Sequence, residues 1–311
     1  MTEGDDLTAL AQELVALDVA AGARWAVGPA LAAVRAVGRS RPEPREGVAE
    51  RAARAELYQV AAWIAFDAER HGVSRRLHLR ALELARSDPA EGPDAAVEPL
   101  ILAVLAMQEE HLGRPAHSLR IASSVLAREA LPGRVAAIFH VRAGRALARM
   151  GNGPLAGRAM GTAAELLADR PTDRDPAWAW WFDRRELDGH HGLARAALGD
   201  LGAAAALLHD AAHAGGGGDG DGDGDGPAYR VLFAAELALV QARAGDWREV
   251  DAAMATLMDG VSCVGSVRAL RVLGRAARLV EDGRRVPRRT RDTARHLALA
   301  LRDTDTGTGT G

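Results

Sequence analysis

The chain has no lysine: all 39 basic residues are arginine. That absence excludes Schiff-base chemistry and a P-loop, both of which need a lysine amine. There is one cysteine, Cys263, so neither an internal disulfide nor a cysteine cluster for zinc can form. Asparagine occurs once, isoleucine four times, and aromatics make up only 4% of the 311 residues. The 48% hydrophobic content is therefore mostly Ala, Leu and Val, which favours close helix–helix packing over a sandwich of bulky strands. No apolar run approaches the roughly 18 residues of a membrane span. The opening MTEGDDLTALAQELVALD is acidic and amphipathic, unlike a signal peptide. A cytoplasmic protein is the default expectation. Metalloprotease and nucleophile-elbow motifs are missing too, so an enzyme is not expected.

What is present is helical. In ELYQVAAWIAFDAERHG (56–72), Leu57, Val60, Ala61, Ile64 and Ala68 share one stripe at helical spacing. Similar Ala/Leu-rich runs follow at 99–113, 134–151, 183–199 and 231–245. Each ends near a glycine, as helix C-termini favour: Gly72, Gly113, Gly151, Gly199 and Gly245. A second Ala/Leu-rich helix follows each. Apolar residues stand twelve positions before and after every one of these glycines. The expected fold class is all-α. Helical hairpins recurring every 38–48 residues between these glycines predict a right-handed α-solenoid of tetratricopeptide-like repeats. Fourteen helices are expected, at 5–20, 27–38, 47–71, 74–87, 95–112, 115–129, 134–150, 154–169, 177–198, 202–214, 228–244, 246–258, 265–281 and 288–302.

Residues 215–226, GGGGDGDGDGDG, resemble a cation loop at first sight. An EF-hand starting at Asp219 would need glutamate at its twelfth position, where Arg230 stands. Removing the tract leaves about 34 residues between Gly199 and Gly245, the tetratricopeptide period. It reads as a disordered spacer inserted in phase with the repeat. The expected organisation is a capping hairpin over 1–46, repeats over 47–214, the loop 215–226, C-terminal repeats and a capping helix over 227–302, and a disordered tail over 303–311. The net charge is −3. Without the four Asp of the loop the body is near neutral, and carries no global signature of nucleic-acid binding.

Three stretches hold candidate sites. DPAWAWWFDRRELDGHHG (175–192) carries three of the six tryptophans. On one helix, Trp178 and Trp181 would share a packed face and Trp180 would point elsewhere. Trp180, Arg184 and Arg185 are the candidate partner-binding residues, because Trp and Arg dominate recognition hot spots. Glu186 and His190, one turn apart, could share a metal in an enzyme, but a further ligand is needed from another element. The bland alternative is an intrahelical ion pair. His191 is expected to be a packed core histidine. RRVPRRTR (284–291) has five arginines. It reads as the solvated start of a terminal capping helix, with phosphate contact the alternative.

Together AELYQVAAWIAFDAERHG, HLGRPAHSLRIASSVL, RALARMG, DPAWAWWFDRRELDGHHG and VGSVRALRVL resemble the tetratricopeptide region of actinobacterial helix-turn-helix regulators of the Xre type. The resemblance spans roughly 47–280. It implies a repeat array that senses a partner or ligand, attached to an N-terminal DNA-binding domain. Here only about 46 residues precede the repeats, and they lack an Arg/Gln/Ser-rich recognition helix after a Gly turn. Specific DNA binding is therefore not carried over. Either the chain is a free-standing sensor-like module, or a DNA-binding part is lost or not included. The expected function is recognition of a protein or peptide partner in transcriptional regulation, without cofactor or membrane. A homodimer is compatible with it. The alternatives are a metal-dependent enzyme centred on Glu186 and His190, and an assembly scaffold.

Overall fold

The computed structural model describes residues 3–39, 47–86, 97–128, 130–168, 174–213 and 227–306. The 215–226 tract and residues 307–311 of the tail lie outside the described residues. Those described are helical, with no strand among them. The all-α expectation holds, and so does the order of helices. The chain divides into two compact units, Met1–Asp183 and Arg184–Gly311.

The first unit holds α1 (Glu3–Ala21), α2 (Ala23–Arg39), α3 (Val48–Asp67), α4 (His71–Arg86), α5 (Val97–His111), α6 (Pro115–Leu126), α7 (Gly133–Arg149) and α8 (Gly153–Ala168), then a 3-10 turn, Ala177–Trp181. The second holds α9 (Arg184–Ala197), α10 (Leu201–His213), α11 (Pro227–Ala244), α12 (Trp247–Asp259), α13 (Val267–Asp282) and α14 (Arg288–Thr306). Residues 303–306 thus continue the last helix.

Five hairpins close with one and the same turn. In each, a residue at positive φ ends the first helix. Its amide reaches back three residues and the next amide reaches back five. At α5–α6 these bonds are Gly113 N to Glu110 O, 3.0 Å, and Arg114 N to Glu109 O, 2.8 Å. Such a pair satisfies carbonyls that a helix end would otherwise leave bare. The same pair recurs at Gly151, Gly199 and Gly245, with φ of 78°, 85° and 77°. The residue after the turn starts the next helix. Asn152 accepts from Leu155 N, and Asp200 from Ala203 N, through their side chains, which caps the new N-terminus.

The α3–α4 turn corrects the sequence reading. Its marker is Glu69, at φ 59°, not Gly72, which lies in the first turn of α4. Glu69 N bonds Phe66 O and Arg70 N bonds Ala65 O, at 2.9 and 2.8 Å. A glycine search fails here because the chain spends a glutamate on a conformation that costs an L-residue about 1–2 kcal/mol.

With Glu69 as marker the repeat becomes sharper. Twelve positions before each marker stand Leu57, Ile101, Phe139, Leu187 and Phe233, all 2% exposed or less. Seven before stand Ala62, Ala106, Gly144, Gly192 and Ala238, all buried. These small residues let the two helices of a hairpin close up. A Cβ on Gly192 would lie 2.8 Å from Leu208 Cγ, and one on Gly144 3.0 Å from Met160 Cε. Nine after stand His78, Ala122, Met160, Leu208 and Met254, again buried. His78 therefore occupies a core position that its counterparts fill with apolar side chains.

Within each unit, hairpins pack on their sequence neighbours. In the first unit α3 packs on α4 and α5, and α5 on α6 and α7. In the second, α9 packs on α10 and α11, and α11 on α12 and α13. The α1–α2 hairpin lays Leu7, Leu14, Val27 and Val34 against Leu57 and Ile64 of α3. The Trp-rich stretch differs from the expected single helix over 177–198. Phe182 is extended (φ −87°, ψ 93°) and fully buried, so the chain breaks there to seat its ring, and α9 starts two residues later.

Candidate functional site

The expected partner-binding residues sit on two elements. Trp180, on the 3-10 turn of the first unit, is 56% exposed. Trp178 and Trp181 are half-buried, and Trp181 meets Phe182 edge-on, with ring centroids 5.8 Å apart. The aromatic that fills the core is thus Phe182, and Trp181 packs on it. Arg184 and Arg185 open α9 in the second unit. The Arg184 guanidinium is exposed, yet its Nε donates to both carboxylate oxygens of Asp188, at 3.0 and 2.8 Å. Arg185 is half-buried.

Glu186 and His190 pair at 3.5 Å along α9. His190 is buried, and its ring stands edge-on to Phe233. Among the described residues, no third metal-ligating side chain gathers with them. The core histidine of this stretch is His190; His191 is half-buried and accepts from Arg195 Nε at 3.3 Å. Desolvation, then the Arg195 charge, pushes the His191 imidazole below its ordinary range. In the 284–291 run, Arg288 and Arg289 are almost fully exposed and face Asp292 and Asp251. Val286 is buried among them.

A second constellation was not singled out from the sequence. Glu69, at the α3–α4 turn, lies with His71, the first residue of α4, and His111, the last of α5. One ligand atom from each lies within 4.8 Å of the other two. His71 Nε2 is 3.2 Å from one Glu69 oxygen, and His111 Nε2 is 3.2 Å from the other. The Glu69 side chain is 6% exposed, His71 19% and His111 33%. Phe66 packs against both imidazoles, with centroids 5.7 and 5.5 Å away, and the imidazoles lie 5.1 Å from each other. Gln108, itself buried, donates from Nε2 to the His71 carbonyl at 2.9 Å. That bond fixes the start of α4 to α5.

Stacking explains the meeting. His71 stands two residues after its turn marker and His111 two before the next. Adjacent hairpins bring adjacent turns side by side, and the three side chains converge. His71 Nε2 lies at hydrogen-bond distance from one Glu69 oxygen and His111 Nε2 at ion-pair distance from the other. A hydrogen bond to a charged group contributes about 1.5–3 kcal/mol, enough to offset the backbone cost at Glu69.

The neighbouring carboxylates of α5 are used differently. Glu109, nearly buried, takes Arg75 and Arg114 at 2.7 Å each. Glu110 takes Arg145 at 2.7 Å and Arg149 at 3.2 Å. Buried charges need such partners. These clips tie α5 to α4 and α7.

Among the described residues, no helix is long and apolar enough to cross a membrane. No protein-family model matches this chain, and no curated protein matches it either.

Proposed function

We propose that the chain is a non-enzymatic, tetratricopeptide-like recognition module that binds a protein or peptide partner in transcriptional regulation. One observation carries the reading: five hairpins share one turn geometry and one frame of buried positions, and within each compact unit they pack on their sequence neighbours. Helical repeats built this way present long side-chain surfaces rather than a closed pocket, and binding extended partners is what such surfaces suit. Trp180 is the anchor of choice. An indole more than half exposed is a large apolar area left to water, and such groups dominate interface energetics. Arg185 is the second candidate, and Arg184 the third, because Asp188 already engages it.

The test is affinity capture on the immobilised full-length chain, followed by titration of the purified captured protein. Trp180→Ala should weaken that binding by tenfold or more, about 1.4 kcal/mol, with an unchanged melting curve. Specific duplex DNA binding is not part of the function; a gel shift with sequence preference that survives raised salt would overturn that. If binding of the captured protein is indifferent to Trp180, Arg184 and Arg185 alike, these residues are not the recognition site.

A further inference from the structure

We propose that Glu69, His71 and His111 form a binding site for one divalent transition-metal ion, with zinc the member of that class they fit best. The inference is independent of the partner-recognition reading. It rests first on the donor set. Two imidazole nitrogens and one carboxylate suit zinc and its first-row neighbours. Magnesium and calcium, which demand an oxygen shell, are excluded by the same set.

Distances agree. Zinc holds nitrogen and oxygen ligands at about 2.0–2.2 Å in tetrahedral array, which places neighbouring ligand atoms roughly 3.3–3.5 Å apart. His71 Nε2 is 3.2 Å from one Glu69 oxygen and His111 Nε2 3.2 Å from the other, and one ligand atom from each residue lies within 4.8 Å of the other two. An ion can enter once the side chains draw together, by up to about 1.5 Å from that limit to the tetrahedral spacing.

The site is held ready. Phe66 packs on both imidazoles, and Gln108 grips the backbone of His71. The chain carries glutamate at φ 59° where four equivalent turns carry glycine. Nothing in the turn's own hydrogen bonding requires a side chain there, so what the strained position delivers is the carboxylate. Partial exposure of His111 gives the ion a path from solvent. Three protein ligands leave at least one coordination position for water or a small ligand, so the ion is exchangeable and a chelator removes it. Bound, it joins the start of α4 to the end of α5.

The test uses the full-length chain, stripped with chelator and desalted, titrated calorimetrically with zinc chloride at neutral pH. Cobalt(II) is the spectroscopic probe, since its visible bands report low coordination by nitrogen and oxygen. Glu69→Gly installs the residue the other turns use, so the hairpin survives, as circular dichroism will check. His111→Gln keeps the helix end. The expected result is one zinc per chain, with affinity lowered at least about tenfold by either substitution and by a smaller factor in Gln108→Ala. Two controls keep wild-type affinity. One is His209→Gln with His213→Gln, which removes the stacked histidine pair of α10. The other replaces Asp219, Asp221, Asp223 and Asp225 by Ser. No zinc binding by the wild-type chain overturns the proposal. So does binding that Glu69→Gly and His111→Gln leave intact, or that either control abolishes.

Discussion

Gly189→Ala should destabilise the second unit, although glycine to alanine in a helix ordinarily stabilises. Gly189 lies inside α9, where alanine gains about 0.8–1.0 kcal/mol of helix propensity. Against this stands Phe233 of α11. A Cβ on residue 189 would fall onto the ring, overlapping Cε1 and Cζ and lying 2.7 Å from Cδ1. Carbon atoms pack at about 3.5–4.0 Å. Phe233 is 2% exposed and has nowhere to swing, so α9 and α11 must separate or the ring must leave its rotamer. Overpacking of this kind costs about 1–3 kcal/mol. A Cβ driven onto the ring sits at the severe end of that range, so the clash outweighs the propensity and a net loss of up to roughly 2 kcal/mol is expected. Urea unfolding reads it as a lowered midpoint. The internal control is Gly202→Ala in α10, where nothing lies within 4 Å of the added Cβ; its midpoint should hold or rise. Adding Phe233→Leu to Gly189→Ala should recover part of the loss, with a coupling energy of about 0.5–3 kcal/mol across the double-mutant cycle. A Gly189→Ala protein as stable as the parent, or a cycle that adds without coupling, would refute the reasoning.

Phe182→Ala should cost about 3–5 kcal/mol in urea unfolding, because a fully buried ring is deleted, while Trp180→Ala should cost under about 1 kcal/mol, because its indole stands in water; equal losses would mean the exposure difference is not real. Acid should weaken the first unit through His78, whose burial pushes the imidazole down to about 3 from its ordinary 6.5. Here the folded pKa lies below the unfolded one, so the full contribution is present above the unfolded value and stability falls as pH drops from about 6.5 toward 3, by about 1.4 kcal/mol per unit for one proton. Urea midpoints across that range should flatten by one proton's slope in the Ser74→Ala, His78→Leu double variant, which removes both members of the buried pair; an unchanged slope would show that His78 is not the titrating group.

The helices were legible because the information is local. Periodicity, Ala/Leu content and glycine punctuation each act within one or two turns of chain, and they marked fourteen helices in the right order. The Trp-rich stretch broke the pattern for a reason that is not local. Its composition is compatible with helix throughout, but Phe182 reaches the core only if the backbone extends there. A tertiary demand overrode propensity. The exposure of Trp180 was readable from direction alone, yet the burial of Phe182 rather than Trp181 was not, since the two differ by a single residue in register.

The Glu69 cluster was hidden by the same error that misplaced the first repeat. Read with Gly72 as its marker, the α3–α4 turn sets His71 just before a helix-ending glycine, as His111 is set just before Leu112 and Gly113, and the two look like parallel features of separate hairpins. Read with Glu69 as marker, His71 starts α4 and His111 ends α5, and the two flank neighbouring turns. Only the second frame brings them to one carboxylate. What decides between the frames is the φ of a single glutamate, 59°, in a region that L-residues seldom visit and sequence rules assign to glycine. An unfavourable backbone angle persists where the surroundings over-determine it. Here they do so through two imidazoles at 3.2 Å. The residue that spoiled the periodicity is therefore the one that gathers the site, and departures from a repeat are where function is worth seeking in chains of this kind.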